Sequence, residues 1–325
     1  MKKTLMTGGV LLFSFSFSQK KDSITPARQL AAYRADKFPV TRILNVEFTG
    51  VTPYTYTSES NGKELPEGKV NSMYRLKAST NINFIKKPKW IVGTTLVYQY
   101  TAADVTLPYG HKAADKNFNY HTESFNVSYI SRFFNKPAVY SGSLIVDGGN
   151  KGFERVRGMV SGMVVLKATP ETQIMVGLIG FVDPSSLVPV FPTFEYKHRF
   201  SGDWIAEVAL PRGIYVRKEV FSGNARLSLG SELDNTFFYL YNFNNTDKTY
   251  NFSQLEINSG LIYEQRLGKY FIATLKGGLK SIPVSRIFEK NGRMNDYVFD
   301  ARPQSSLYFN LGISLNPFAL FQPKK

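Results

Sequence analysis

Apolar and polar residues alternate along most of the chain from about Val40 onward, and helical periodicity is nearly absent. Residues 82–100, INFIKKPKWIVGTTLVYQY, hold two such alternating runs around a Lys-Lys-Pro-Lys turn. Before the turn, Tyr74, Leu76, Ala78, Thr80, Ile82 and Phe84 share one face of a strand, and Arg75, Lys77, Ser79, Asn81 and Asn83 share the other. After it, Trp90, Val92, Thr94, Leu96, Tyr98 and Tyr100 oppose Ile91, Gly93, Thr95, Val97, Gln99 and Thr101. Each apolar face begins and ends in an aromatic residue. Eight residues at roughly 3.3 Å rise, tilted by about 40°, cover on the order of 20 Å, close to the apolar band of an outer-membrane barrel.

The runs come in pairs. Short turns are expected at 86–89, 135–137, 169–172, 201–203 and 267–269, with a further one near 219–224. Longer polar connections are expected at 53–69, 103–117, 147–157, 183–192, 242–249 and 283–303. This alternation is the habit of outer-membrane barrels, with short periplasmic turns and longer outer loops. The fold expected is an all-β, antiparallel transmembrane barrel over residues 40–325. It has fourteen strands if Leu-Pro-Arg-Gly at 210–213 turns the chain, and twelve if it does not.

Position then sorts the side chains. Tyr74, Phe84, Trp90, Tyr98, Tyr100, Phe133, Trp204, Tyr270 and Phe271 are expected to form membrane-interface girdles. Both tryptophans follow a short turn by one residue. Arg75, Lys77, Glu195, Lys197, Arg199, Arg226, Glu232, Glu256, Glu264, Lys276 and Lys280 fall on the opposite faces and are expected to line the lumen, open to contact with a solute. Their mixed signs suit either a wet pore or a plug.

The first residues, MKKTLMTGGVLLFSFSFSQKK, carry a basic start and a short apolar core, so residues 1–18 read as a signal peptide cut before Gln19. Residues 19–39 read as a periplasmic tail. Export argues against a cytoplasmic enzyme and against nucleic acid as partner. The formal charge of +15 over the whole chain points to lipid phosphates, lipopolysaccharide and small anionic solutes. With no cysteine, neither disulfides nor thiolate metal sites are available.

His111, His121 and His198 lie in no metal-ligand spacing, and no phosphate loop or nucleophile elbow occurs. No catalytic residue, metal or cofactor is therefore expected. In HTESF, His121 and Glu123 share a face while Ser124 points away, which argues against a local triad. DGGNKG at 147–152 reads as a turn rather than a Ca²⁺ loop.

The Ser18–Gln19 junction, LPRGIYVR at 210–217 and LYFNLGISLNPF at 307–318 resemble outer-membrane barrels of Bacteroidota. More narrowly they resemble a family there classed as a domain of unknown function, over nearly the whole mature chain. The resemblance implies no catalytic residues. Better-known barrels end on an aromatic that the barrel-assembly machinery reads; here Phe318 and Phe321 lie near the end, with Gln322 to Lys325 after them. The expected function is a passive or substrate-biased channel for small solutes. The alternatives are a plugged barrel acting in surface binding or envelope structure and, third, a lipid-modifying enzyme.

Overall fold

The computed structural model describes residues 37–110, 113, 116–241, 243 and 246–315. The signal-peptide reading, His111, Phe318 and Phe321 lie outside these residues. Sixteen strands follow one another: β1 (Leu44–Val51), β2 (Tyr54–Ser60), β3 (Lys63–Lys86), β4 (Trp90–Thr106), β5 (Asn117–Phe133), β6 (Lys136–Gly149), β7 (Gly152–Ala168), β8 (Thr172–Val182), β9 (Val190–Arg199), β10 (Trp204–Leu210), β11 (Gly213–Val220), β12 (Ala225–Tyr241), β13 (Thr249–Leu267), β14 (Phe271–Glu289), β15 (Tyr297–Pro303) and β16 (Ser306–Leu315).

Each strand from β3 to β14 pairs antiparallel with the next. The sheet closes because β1 pairs with β3 on one side and β16 on the other. β2 continues β1 along β3, and β15 continues β16 between β14 and β2. The sixteen strands therefore form fourteen staves, the first and last each interrupted once. Leu-Pro-Arg-Gly does turn the chain, joining β10 to β11, which is the fourteen-strand outcome.

Several segments that read as polar loops are strand. Residues 53–69 hold β2, a two-residue turn and the start of β3. The turn is Asn61–Gly62, with φ of 47° and 76°, the left-handed pair that an Asn-Gly hairpin turn requires. Residues 147–157 form the β6–β7 hairpin, and residues 283–303 mostly extend β14 and supply β15. These strands rise beyond the apolar band, where both faces are wet, so a polar sequence there is compatible with sheet.

The outer wall carries the apolar face. Leu76, Leu96, Leu144, Leu178, Leu229, Leu261, Leu275 and Leu311 are all exposed on it. Water would not tolerate an apolar surface that encircles the molecule, whereas lipid requires one. No helix among the described residues is long and apolar enough to cross a membrane. The chain crosses with strands.

Candidate functional site

Eight staves enclose a space that side chains just fill, and fourteen enclose considerably more. What occupies that space decides what the barrel can do. Three tiers of contacts fill it.

The lowest tier sits at the short-turn end. Lys37 and Phe38, from the segment that reads as tail, lie in this mouth. Phe38 is fully buried, with the Arg226 guanidinium 4.9 Å from its ring centroid and Arg226 Nη2 donating to its carbonyl at 3.0 Å. Glu264 binds Arg226 at 2.6 Å and Arg42 at 2.7 Å. Glu219 gathers Lys37 at 3.2 Å and Arg199 at 2.6 Å. Nearby, Glu207 accepts from Arg217 at 3.0 Å and Arg212 at 2.9 Å, and Arg217 lies 4.0 Å over the Tyr215 ring. A buried polar group needs partners, and every charge in this tier has at least one.

The middle tier centres on Arg75. Its guanidinium pairs with Asp234, donates to Thr236 Oγ1 at 2.9 Å and to Asn235 O at 3.1 Å, and lies 3.6 Å from Glu256. Glu256 also holds Lys280 and accepts from Thr236 at 2.5 Å and Gln254 at 3.2 Å. Glu256 is 0% and Lys280 1% exposed, so this pair is sealed from water. Glu232 and Lys276 pair at 2.7 Å beside this tier.

The upper tier is the far end of β12, which turns into the barrel while still paired with β13. Residues 236–239 of β12 are 0%, 8%, 7% and 2% exposed, four in succession. A wall strand buries one face only, so this segment has left the wall. Its carbonyls confirm the path: Arg75 donates to Asn235 O, and Gln99 on β4 donates to Phe237 O at 3.4 Å. The rings of Phe118 and Phe238 stack at 4.1 Å, and Phe238 stacks on Phe252 at 4.6 Å. Tyr120 meets Phe237 at 5.0 Å. Cα atoms of β12 and β5 thus approach within 8 Å across the lumen.

The sequence explains the departure. β11 has eight residues and pairs β12 only up to Glu232; beyond Leu233, which donates to Arg212 O at 2.7 Å, β12 keeps β13 alone as sheet neighbour. The segment TFFYLY at 236–241 is apolar or aromatic at five of six positions, in both parities. Both faces must be covered, and the lumen side of β5 and β6 covers them.

The strand ends in polar contacts. Tyr239 donates to Asp147, which is fully buried and also binds Tyr120 at 3.3 Å, Arg157 at 2.5 Å and Arg155 at 3.6 Å. Both arginines continue to Asp183, at 3.3 and 3.4 Å. Tyr241 donates to Glu154 at 2.8 Å, and Lys290 binds Glu154 at 2.9 Å. Asp183 lies in the β8–β9 loop. Burial alone would raise its pKa, but hydrogen bonds from Ser185 and the charges of Arg155 and Arg157 outweigh that and hold it below the ordinary carboxylate value.

Arg75, Arg226, Glu256, Glu264 and Lys280 are thus buried inside the barrel, and Arg199, Glu232 and Lys276 are paired there. Lys77, Glu195 and Lys197 are half-buried on the inner faces of β3 and β9. Of the girdle aromatics, Tyr74, Phe84, Trp90, Tyr98, Phe133, Trp204, Tyr270 and Phe271 stand exposed on the outside. Tyr100 is half-buried and donates to Asn117 Oδ1 at 2.7 Å. Trp90 packs on Tyr129 at 4.6 Å, and Lys218 lies 4.9 Å over Trp204. Sequence reasoning missed Phe38, Arg42, Tyr120, Asp147, Arg155, Arg157, Glu207, Arg217 and Tyr239. Asp147, Arg155 and Arg157 were hidden because their segment reads as loop. Asp147 faces guanidinium groups at the end of β6, Asn150 Oδ1 accepts from the Asn119 amide at 2.8 Å, and the turn itself is only Asn150–Lys151. No metal-ligating cluster occurs among the described residues.

These features define a closed antiparallel transmembrane β-barrel with a lumen lined by paired charges. The family model described as "Domain of unknown function (DUF6268)" matches residues 148–316, more than half of the chain, and the chain belongs to that family. The match starts at the end of β6, so it covers less than the whole mature chain. No curated protein sequence matches the chain. Among solved structures it is similar to an outer-membrane channel from Pseudomonas putida F1 (8% identity, 86% of this chain and 98% of that one, TM-score 0.34). It is also similar to the toluene transporter TodX of P. putida (9%, 89% and 91%, TM-score 0.37). Outer membrane phospholipase A from Escherichia coli is a third (11%, 90% and 99%, TM-score 0.31). These are likenesses of barrel outline alone.

Proposed function

We propose that the protein is a conduit for small solutes in the bacterial outer membrane, with a lean to anions, and that it rests closed. The observation that carries this is a charged lumen shut by non-covalent contacts on one in-turned strand. A barrel with a purely structural role would be as stable, or more so, with apolar residues in place of Arg75, Asp234, Glu256 and Lys280. An ionisable interior suits a lumen that water enters. The basic start of the chain and the apolar run after it support export, and the Ser18–Gln19 junction supports a Bacteroidota origin. Lipids at the wall, lipopolysaccharide at the long-loop rim and the barrel-assembly machinery are the partners on this account.

The second reading, a permanently plugged barrel for surface binding or envelope structure, is favoured by the complete burial of Glu256 and Thr236. A lipid-modifying role has less support. His121 packs edge-on against Phe153 on the outer wall at 5.9 Å, whereas Ser124 faces inward and donates to Thr95 O at 3.4 Å. Planar-bilayer recording separates the first two. Folded wild type should give infrequent conductance steps, and Tyr239→Ala, which frees the strand from Asp147, should make them frequent. Silence in both proteins assigns the barrel to the plugged reading.

A further inference from the structure

Residues of the β8–β9 and β14–β15 loops together line a half-open cavity of about 340 Å³. Pro184, Leu187, Pro189 and Met294 give it apolar walls. Met294 is buried, whereas Arg293 and Asn295 are exposed at the rim. The polar groups are not equivalent. Asp183 has its oxygens engaged by Ser185 N at 2.9 Å, Ser185 Oγ at 2.7 Å, Arg155 and Arg157. Ser186 Oγ donates to Val188 O at 2.9 Å. Asn295 Oδ1 accepts from Arg286 at 2.9 Å, which leaves its two amide protons as donors. Arg293 lines the same cavity, and its guanidinium makes no hydrogen bond or ion pair among the described residues.

The cavity therefore offers donors, a positive charge and apolar surface, and no unengaged acceptor of comparable strength. We propose that it is a binding site for a small amphipathic carboxylate. The planar five-donor fork of Arg293 matches a carboxylate bidentately, and Asn295 can add a third donor. The volume lies at the small end of the range of ligand sites, about 300–1,000 Å³, which fits a compact acid of benzoate size rather than a glycan or a long chain. Arg293 is the one cation among the described residues that line the cavity, which matches a monoanion. The site stands whether or not the barrel conducts.

Calorimetry on the full-length folded protein in detergent micelles tests it, using benzoate and its neutral isostere benzamide at fixed salt, with heats into protein-free micelles subtracted. Wild type should bind benzoate about tenfold or more tightly than benzamide, as expected for a charge-assisted bidentate pair. Arg293→Gln should remove that preference, while Leu187→Asp should weaken both ligands and benzoate more. Equal binding of acid and amide by wild type, no binding of either, or benzoate affinity unchanged in Arg293→Gln overturns the proposal.

Discussion

Replacing Arg75 by alanine removes four contacts at once, three of them to β12, the strand that crosses the lumen. Losing the bonds to Asn235 O and Thr236 Oγ1 is worth about 0.5–1.5 kcal/mol each. The charges weigh more. Breaking a buried ion pair from one side costs about 3–5 kcal/mol, because the other charge stays behind. Here Glu256 keeps Lys280, Thr236 and Gln254, and Asp234 keeps 25% of its side chain exposed, so water softens its loss. The lower end is therefore expected: Arg75→Ala should destabilise the barrel by about 3 kcal/mol. Arg75→Met combined with Asp234→Leu leaves no stranded charge and should cost less than the single change. Urea unfolding in micelles, followed through Trp90 and Trp204, measures both. A loss below about 1 kcal/mol for Arg75→Ala, or a double variant worse than the single, refutes the clamp.

The other expectations concern the mouth, the wall and the loops. Phe38→Ala, which empties a fully buried ring site beneath Arg226, should cost about 3 kcal/mol in the same unfolding assay; a neutral result would show that the mouth is not packed. Leu96 is exposed on the outer wall, so Leu96→Arg should cost about 2–4 kcal/mol if it lies near the midplane; insertion as efficient as wild type would show the register to be wrong. The depressed Asp183 carboxyl stabilises the β8–β9 loop while it is ionised. That contribution is whole above its reference value of 3.8 and is lost as pH falls through the lower folded value. A spin label at Leu187→Cys, in a chain with no other cysteine, should stay immobile from neutral pH to about 5 and loosen only well below that; loosening at higher pH contradicts the pairing with Arg155 and Arg157.

The wall was legible because lipid outside and a polar lumen inside impose strict alternation, which Trp90 to Thr101 displays residue by residue. The long-loop end was less so. There both faces are solvated, alternation loses its meaning, and the β2, β6–β7 and β14–β15 strands pass for loops. Asn61–Gly62 was the hairpin signal available inside 53–69. The closure was written in TFFYLY, since six residues with no polar face cannot sit in a barrel wall between lipid and a wet lumen. Arg226, Glu232 and Asp234 show the inner face as far as residue 234, and the run after them breaks it. Phe38 gave no such sign: a lone aromatic before Pro39 in a polar segment carries no periodicity, and only the closed sheet places it under Arg226.

Closure of the upper lumen depends on the upper part of β12 lying inside the barrel against β5. The most direct measurement is thiol cross-linking of a Phe118→Cys/Phe238→Cys pair in membranes with a short bifunctional reagent, in a chain that has no other cysteine. The crossing strand predicts rapid intramolecular linkage, suppressed when Tyr239→Ala is added. If the pair stays unlinked while a neighbouring-strand control at Leu229→Cys/Leu261→Cys links readily, residues 236–241 belong to the wall and the lumen is open at that level.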